Sequence, residues 1–234
     1  MKLTLLEMTQ SILNVLESDE VNSISDTEES LMVANIVKES YFDLITVRDW
    51  PFLGTLTTLT ALGDTDNPTK MRIPVGVNKI DWVKYNKKDV TFLEPKDFKD
   101  MIDLRNVADD NIDANGYITN RDPLYWTSYD DDYIYFDSYD ITDDDTLYES
   151  KSSMFGYTIP TWTHVDEFIP LLPDKMFPTL LADAKGTAFL VLKQQGNSKE
   201  ESKARKGKIR FQNEAWRNEN GEKGSYHNIN TGRK

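Results

Sequence analysis

Cysteine is absent from this 234-residue chain, and histidine is scarce. Without cysteine there can be no disulfide, thiolate nucleophile, zinc finger or iron–sulfur cluster held by cysteine. The two histidines, His164 and His227, stand far apart in the sequence, which leaves little material for histidine-based catalysis or metal binding. Walker and GxGxxG phosphate-binding loops are missing too. We therefore expect no enzymatic activity, no catalytic residues, no bound metal and no cofactor.

Long apolar runs are also missing. No stretch approaches the roughly 18 consecutive apolar residues that a membrane-spanning helix requires. The first residues, MKLTLLEMTQSILNVLE, form an amphipathic pattern with glutamates inside it, unlike the charged start and apolar run of a signal peptide. We expect neither a signal peptide nor a membrane span.

Positive charge is the third scarce component, with 27 Lys and Arg against 40 Asp and Glu and a net charge of -13. The charge is unevenly distributed, since residues 196–234 hold ten basic side chains against five acidic ones, whereas residues 109–145 hold twelve aspartates and one arginine. Long-range attraction to nucleic acid or to anionic membranes is therefore not expected. An acidic body with a basic end can attach to copies of itself or to a complementary partner, or it can be a solvated surface with a loose tail.

Apolar residues near the 3.6-residue period predict several helices. Two of these begin at capping boxes, Ser25 with Glu28 and Ser198 with Glu201. The predicted helices are 4–17, about 26–49, a short one over about 95–106, a segment opened by Leu172-Pro173, and a polar basic helix from 198 to about 216.

Between the first and last helices the pattern changes to the alternation of β-strands. The predicted strands are 56–62 and 70–74 as a hairpin, 80–85, 90–93, and short aromatic strands at 124–126, 133–136, 147–148 and 157–159. The predicted fold class is α+β, an antiparallel helical bundle formed by the N- and C-terminal helices with an inserted antiparallel β region. The predicted domains are 1–50 with 170–218 as the bundle, 51–169 as the inserted β-rich domain, and 219–234 as a flexible basic C-terminal arm.

Residues 111–122 resemble an EF-hand calcium loop. Asn111, Asp113 and Asn115 occupy loop positions 1, 3 and 5, and Gly116 occupies position 6. Position 1 is Asn instead of Asp, and position 12 is Asp122 instead of the longer Glu that supplies two oxygens. The competing interpretation is an ordinary Asn/Asp/Gly turn in an acidic loop.

The acidic stretch 109–145 also carries tyrosines between its aspartates. Paired carboxylates beside aromatic rings are typical of carbohydrate sites and of glycosidases, but nothing in the sequence selects one pair. The alternative function is therefore a calcium-dependent or carbohydrate-binding module that uses residues 109–145.

Cations from Lys203 to Arg210, followed by Trp216 and Arg217, permit three interpretations. They could form a nucleic-acid patch, a solvated helix face, or a contact with an acidic protein surface. The acidic body makes DNA binding the weakest of the three.

The order of these features resembles the head-to-tail adaptor proteins of tailed bacteriophages, also called connector or tail tubular protein A-like proteins. Each feature has low specificity, and the weight comes from their order along most of the chain. The features are the helix pair Leu5 to Leu16 and Glu29 to Arg48, the junction Arg48-Asp49-Trp50-Pro51-Phe52 before a β-hairpin, the strand Lys70 to Pro74, the following strand Ile80 to Val83, the helix after Leu172-Pro173, and a basic helix that ends in the tail Asn230 to Lys234.

The resemblance implies a structural role without catalysis. Family members form a ring, typically a dodecamer, beneath the portal protein, and the C-terminal arm reaches into the portal. The implied partners are copies of the chain itself, the portal, a further tail or ring protein on the distal side, and DNA only in transit, with no membrane, in the neck of the virion. The portal-docking residues implied for this chain are Lys206, Arg210, Trp216, Arg217, Tyr226, Arg233 and Lys234.

Overall fold

The computed structural model describes the backbone of residues 2–227 and the side chains of residues 2–216. The chain divides into two compact units. The helical unit comprises the described parts of Met1–Phe52 and Thr161–Lys234, and the sheet unit comprises Leu53–Pro160.

Within the described residues there are five α-helices. They are α1 (Leu5–Val15), α2 (Glu28–Thr46), α3 (Pro95–Asp103), α4 (Phe177–Lys193) and α5 (Ser198–His227). All but α3 belong to the helical unit. No described helix is both long and apolar enough to cross a membrane.

The first two helices begin at capping boxes. Thr4 accepts a hydrogen bond from the backbone of Glu7, and the Glu7 carboxylate accepts one from the backbone of Thr4. The second helix begins at Thr27, which pairs in the same way with Ser30. The predicted box of Ser25 with Glu28 is therefore wrong, because the Asp26 carboxylate binds the preceding backbone amides of residues 22 and 23 and holds a turn there.

The core of the helical unit is built around α4, which contacts α1, α2 and α5, while α1 and α2 also contact each other. An extended segment of residues 161–172 lies beside α1, where Leu5 and Leu6 donate backbone hydrogen bonds to Phe168 and Asp166. The most deeply buried side chains of this core include Leu5, Met8, Ile12, Val33, Val37, Tyr41, Leu44, Phe177 and Leu180.

The sheet unit contains eight strands in the order β1-β8-β4-β5-β6-β7-β3-β2. The strands are β1 (Gly54–Thr57), β2 (Thr60–Ala61), β3 (Lys70–Arg72), β4 (Val77–Tyr85), β5 (Lys88–Phe92), β6 (Tyr125–Thr127), β7 (Tyr133–Phe136) and β8 (Ser152–Thr158). Neighbouring strands are antiparallel except β5 and β6, which are parallel.

The sheet is strongly curled, and the short link between β1 and β2 shows why. These strands stand at opposite ends of the strand order, yet only Thr58 and Leu59 separate them along the chain. So short a link spans about 10 Å at most, so both ends of the order must come close together. The buried Leu59 fastens the link, because its N–H donates to Ser152 Oγ on β8 at 2.9 Å.

The predicted fold class, an antiparallel helical bundle with an inserted antiparallel β region, is wrong. The structure is α+β with a curled, mixed eight-stranded sheet that has its own hydrophobic core. The sheet is mixed because α3 and the long segment after it connect β5 to β6 by a crossover, which is what parallel pairing requires. The predicted hairpin of 56–62 with 70–74 is observed only in part, because β2 pairs antiparallel with β3, whereas β1 pairs with the distant β8.

Two local predictions also differ from the structure. Residues 147–148, predicted as a strand, precede a short 3-10 helix over Glu149–Lys151. The last helix does not end near Trp216 but continues to His227, so residues 219–227 of the predicted arm are helical. Residues 228–234 of that arm lie outside the described part of the chain.

Candidate docking site

The last helix, α5, packs antiparallel to α4 along one side. Gly207 lies beside Thr179, and Glu201 lies beside Gly186, so residue numbers rise along α5 as they fall along α4. The buried side chains on this packed side of α5 are Ala204, Phe211 and Ala215. This spacing of seven and four residues is that of a single helical stripe.

The opposite side of α5, which we call the outward face, comprises Lys199, Ser202, Lys206, Ile209, Arg210 and Asn213. At 100° per residue, Lys206 lies about 200° around the helix from the buried Ala204. Lys199, Lys206 and Arg210 are spaced by seven and four residues, so they share this face. All six side chains are exposed.

Charge on the outward face is largely uncompensated. Lys199 and Lys206 have no ion-pair partner among the described residues, and Arg210 lies one turn before Glu214, whose pKa it helps to lower. By contrast, Lys208 on the packed side lies 2.9 Å from Asp183 of α4. The cation that pairs with α4 and the cations of the outward face therefore lie on different sides of α5.

The outward face also carries apolar surface. Ile209 is 46% exposed, and Trp216, seven residues later on the same side, is 63% exposed. A shallow groove runs along the helix between the side chains of Lys206, Ile209, Arg210 and Asn213. Exposed apolar groups between cations are typical of a surface that binds another protein and less so of a merely solvated face.

The segment that follows α2 packs against the part of α5 around Phe211 and Ala215. Trp50 is buried and donates its indole N–H to the carbonyl of Leu44 at 3.1 Å. Trp50 and Phe52 line an apolar cavity of about 200 Å³ together with Met176, Phe211 and Ala215. Lys175 and Glu214 form an ion pair at the rim, and the hydrogen bond from Lys175 lowers the pKa of the Glu214 carboxyl.

Beyond this junction α5 passes the beginning of α4. Phe211 and Ala215 lie beside Met176, the residue immediately before α4. Because the two helices are antiparallel, the α5 backbone from residue 216 to His227 extends beyond the first residue of α4. At 1.5 Å per residue this part of the helix is about 18 Å long.

The predicted portal-docking residues fall into three groups. Lys206 and Arg210 lie on the outward face, and Trp216 lies at its edge, where its side chain has a contact of its own. The backbone of Arg217 and Tyr226 belongs to α5, but their side chains are outside the described part. Arg233 and Lys234 lie outside the described residues entirely. Lys199 was missed as a member of the face, although its spacing from Lys206 and Arg210 was visible in the sequence.

A second charged surface lies in the sheet unit, and we call it the acidic lobe. It consists of residues 109–122 and 137–145, which hold nine aspartates and one arginine. Backbone hydrogen bonds join its two segments, from Tyr139 to Ile118 at 2.9 Å and from Ile141 to Thr119 at 2.9 Å. The lobe is therefore a single connected surface.

Asp137 is the buried centre of the acidic lobe. Its carboxylate accepts hydrogen bonds from Arg105 and Arg121 at 2.8 Å each, and from the backbone amides of Leu124 and Tyr125 at 2.9 Å each. Both arginines are thereby directed inward, onto a side chain with no solvent exposure. The sequence carries one signal of this arrangement, the single arginine in an otherwise aspartate-rich stretch, and periodicity alone did not predict it.

Part of the negative charge of the acidic lobe is compensated, because Arg105 and Arg121 bind Asp137, Lys88 pairs with Asp122, and Lys151 pairs with Asp143. Asp110 and Asp145 are exposed and have no ion-pair partner among the described residues. Ile141 lies in the same lobe and is 54% exposed. The lobe thus combines unpaired carboxylates with exposed apolar surface.

Both carboxylates of the EF-hand-like loop already accept hydrogen bonds. The Asp113 carboxylate accepts hydrogen bonds from the backbone amides of Asn115 and Tyr117 at 2.9 and 2.8 Å. Asp122 binds Lys88 at 3.0 Å and Asn86 at 3.1 Å. Among the described residues, no three His, Cys, Asp or Glu side chains are grouped so that they could hold a metal ion.

The tyrosines of the acidic stretch do not form one open aromatic platform. Lys70 Nζ lies 3.9 Å from the centre of the Tyr133 ring, and Tyr129 packs edge-on against Tyr135 with ring centres 4.9 Å apart. Tyr139 is buried in the core of the sheet unit. Lys70 Nζ also lies 5.4 Å from the centre of the Tyr135 ring, so Tyr129, Tyr133 and Tyr135 form one group covered by a lysine, whereas Tyr139 belongs to the core.

These features define the class of protein. It is an α+β protein with a curled mixed sheet, an acidic lobe on that sheet, and a long terminal helix that is packed on one side and cationic on the other. The chain matches no protein-family model and no curated protein.

Proposed function

We propose that the chain is a structural subunit of a head-to-tail connector ring of a tailed bacteriophage. It docks beneath the portal through the C-terminal end of the chain and joins the portal to the tail, and DNA passes through the ring. The observation that carries the proposal is the geometry of α5, a 30-residue helix whose last part extends beyond α4. The order of sequence features that resembles the adaptor family supports it as well.

The length of α5 explains how docking would work. Its 30 residues span about 45 Å, whereas the 17 residues of α4 span about 25 Å. The projecting end can enter a partner while the packed part anchors it to the subunit. A ring presents many such ends at once, so a modest affinity of each one gives a strong attachment through multivalency.

The overall charge fits a passage for DNA. With a net charge of -13 the subunit repels the phosphate backbone, and a channel formed by such subunits would not retain DNA in transit. The partners in this proposal are copies of the chain, the portal and a distal tail or ring protein. DNA is only transported, and no membrane takes part.

The calcium-dependent or carbohydrate-binding alternative gains no support from the described residues. Asp113 and Asp122, the two carboxylates among the predicted calcium ligands, bind backbone amides and a lysine instead. Lys70 lies over the Tyr133 and Tyr135 rings, and Tyr139 is buried in the core of the sheet unit.

Deletion of residues 219–234 tests the proposal. The full chain and the truncated chain are each mixed with the portal ring encoded by the same genome, and bound protein is counted after the rings are isolated. We expect docking to be lost while the melting temperature stays close to that of the full chain, because Ala215 is the last buried side chain of α5 among the described residues. Undiminished docking by the truncated chain would contradict the proposal.

A matched control removes one positive charge without shortening the chain. Lys38 is exposed on α2, remote in sequence from α5, and Lys38→Ala removes one cation from the helical unit. We expect this variant to dock like the full chain. Equal losses in the control and in the truncated chain would show that docking follows net charge and not the C-terminal end.

A further inference from the structure

The outward face of α5 lacks a partner in the described part of the chain. It exposes Lys199, Lys206 and Arg210 on one side of a helix, with Ile209 between them. Like charges at this spacing repel one another, and an isoleucine that stays exposed forgoes the stabilisation that burial would give. An oppositely charged protein surface would offset both costs.

The same chain carries a surface with the complementary properties. The acidic lobe holds nine aspartates, of which Asp122, Asp137 and Asp143 are paired with cations, while Asp110 and Asp145 are exposed without an ion pair among the described residues. Its exposed Ile141 is an apolar counterpart to Ile209. The outward face of α5 combines positive charge with apolar surface, and the acidic lobe combines negative charge with apolar surface. The two surfaces are therefore complementary.

Both surfaces are preorganised. The α5 face is fixed by the close contact of Gly207 with Thr179 and by the ion pair of Lys208 with Asp183. The lobe is fixed by the hydrogen bonds that Asp137 accepts. Little conformational entropy would be lost when such surfaces bind, so a contact of modest area would suffice.

We propose that the outward face of α5 binds the acidic lobe of a second copy of the chain. The contact joins two different surfaces of identical subunits, which is the head-to-tail kind of interface that closes into a ring. The inference rests on the proposed connector ring, for which it names the contact between subunits. It assigns Lys206 and Arg210 to the neighbouring copy and leaves the end of α5 beyond Trp216 for the portal.

The absence of cysteine makes the contact easy to test by cross-linking. Two single-cysteine variants, Ser202→Cys on the outward face and Ala114→Cys in the acidic lobe, are mixed and treated with a short bismaleimide. Both residues are exposed and neither carries charge. We expect several-fold more cross-linked dimer than from a control mixture of Ser202→Cys with Asn35→Cys, an exposed position on α2. Added salt should reduce the yield, since the attraction is between exposed charges.

Charge reversal shows whether the cross-link reports the proposed contact. Lys206→Glu with Arg210→Glu in the Ser202→Cys chain should lower the yield to that of the control mixture. Asp110→Lys with Asp145→Lys in the Ala114→Cys chain should restore it. A yield that is no higher than the control, or one that charge reversal does not change, would overturn the inference.

The portal ring separates this inference from the proposed function. Because a ring can require the portal as a template, cross-linking is carried out with and without it, and portal docking of the wild-type chain is measured in parallel. Docking without the specific cross-link in either condition would overturn the subunit contact alone. The specific cross-link without any docking would contradict the connector role and leave the contact between copies standing.

Discussion

Gly207 of α5 and Thr179 of α4 approach each other so closely that a Cβ atom on Gly207 would lie only 2.7 Å from Thr179 Cγ2. Thr179 is buried, so it has little room to move away. The missing side chain at position 207 therefore sets both the distance between the helices and the rotation of α5 about its axis. That rotation decides which cations of α5 face α4 and which face outward.

Gly207→Ala should consequently destabilise the helical unit. Replacing glycine by alanine within a helix contributes up to about 1 kcal/mol of stability, but forcing a methyl group into a packed contact costs about 1–3 kcal/mol. We expect a net loss of about 1 kcal/mol, measured as a lower midpoint of urea unfolding monitored by circular dichroism.

Gly186→Ala is the matched control for this prediction. Gly186 also lies within a helix at the same interface, but its added Cβ would lie 3.3 Å from the flexible Glu201 side chain and 3.8 Å from the Glu201 backbone nitrogen, which is an ordinary contact distance. We expect unchanged or slightly increased stability. Equal destabilisation by both substitutions would show that the contact with Thr179 has no special role.

Asp137→Asn should strongly destabilise the sheet unit. The substitution removes the negative charge that two arginines share in the interior, and Arg105 is itself nearly buried. Removal of one member of a buried ion pair costs about 3–5 kcal/mol. Chemical unfolding should show the loss, and hydrogen exchange should show faster exchange of the amides of residues 118–125.

The control for this substitution is Asp131→Asn, which removes the same charge from an exposed turn. Asp131 has no described hydrogen bond or ion pair, so its substitution should change the stability by less than about 0.5 kcal/mol. A loss at Asp137 as small as that at Asp131 would contradict the role of Asp137 as the centre of the lobe.

Tyr41 should make the stability of the helical unit sensitive to alkaline pH. Burial raises the pKa of its hydroxyl from 10.0 to about 12, so the folded state retains a proton that the unfolded state releases. The stability that the protonated Tyr41 hydroxyl contributes is fully present below pH 10 and is lost as the pH rises from about 10 to about 12.

The variant Tyr41→Phe isolates this effect. It lacks the hydrogen bond that the Tyr41 hydroxyl donates to the carbonyl of Leu171 at 3.2 Å, so at neutral pH it should be about 1 kcal/mol less stable than the wild type. Between pH 10 and 12 the melting temperature of the wild type should fall faster, and the difference should shrink. A constant difference across this range would show that the hydroxyl does not titrate as proposed.

Calcium should not stabilise the acidic lobe. Asp122→Ala removes the ion pair with Lys88 and should lower the melting temperature equally in calcium and in a chelator. Asp113→Ala should behave in the same way, because it removes the hydrogen bonds to the amides of Asn115 and Tyr117. A calcium-dependent rise in melting temperature that either substitution abolishes would instead favour the calcium-binding alternative.

Local periodicity predicted most helices and several strands well, since both patterns depend on neighbouring residues. The helix predicted over residues 4–17 is observed as Leu5–Val15, and the strand predicted over 133–136 is observed as Tyr133–Phe136. Pairing was predicted poorly because it depends on distant residues. Strand β1 pairs with β8, which lies about one hundred residues later in the sequence. Strands β5 and β6 are parallel because the chain crosses over through α3 between them.

The candidate docking site was also predicted only in part, because local spacing is visible in the sequence and distant contacts are not. The spacing of Lys206 and Arg210 on one helix is local, and both lie on the outward face as a helix requires. The burial of Asp137 does not follow from local patterns, because Arg105 and Arg121 lie 32 and 16 residues before it in the sequence. The end of α5 was placed too early because the Asn, Gly and Ser composition after Asn218 is also typical of a flexible tail.

Electron microscopy of the purified chain mixed with the portal ring of the same genome tests the connector role most directly. We expect added density of ring symmetry beneath the portal, which disappears when residues 219–234 are deleted. Bare portals at saturating concentrations of the full chain would contradict it.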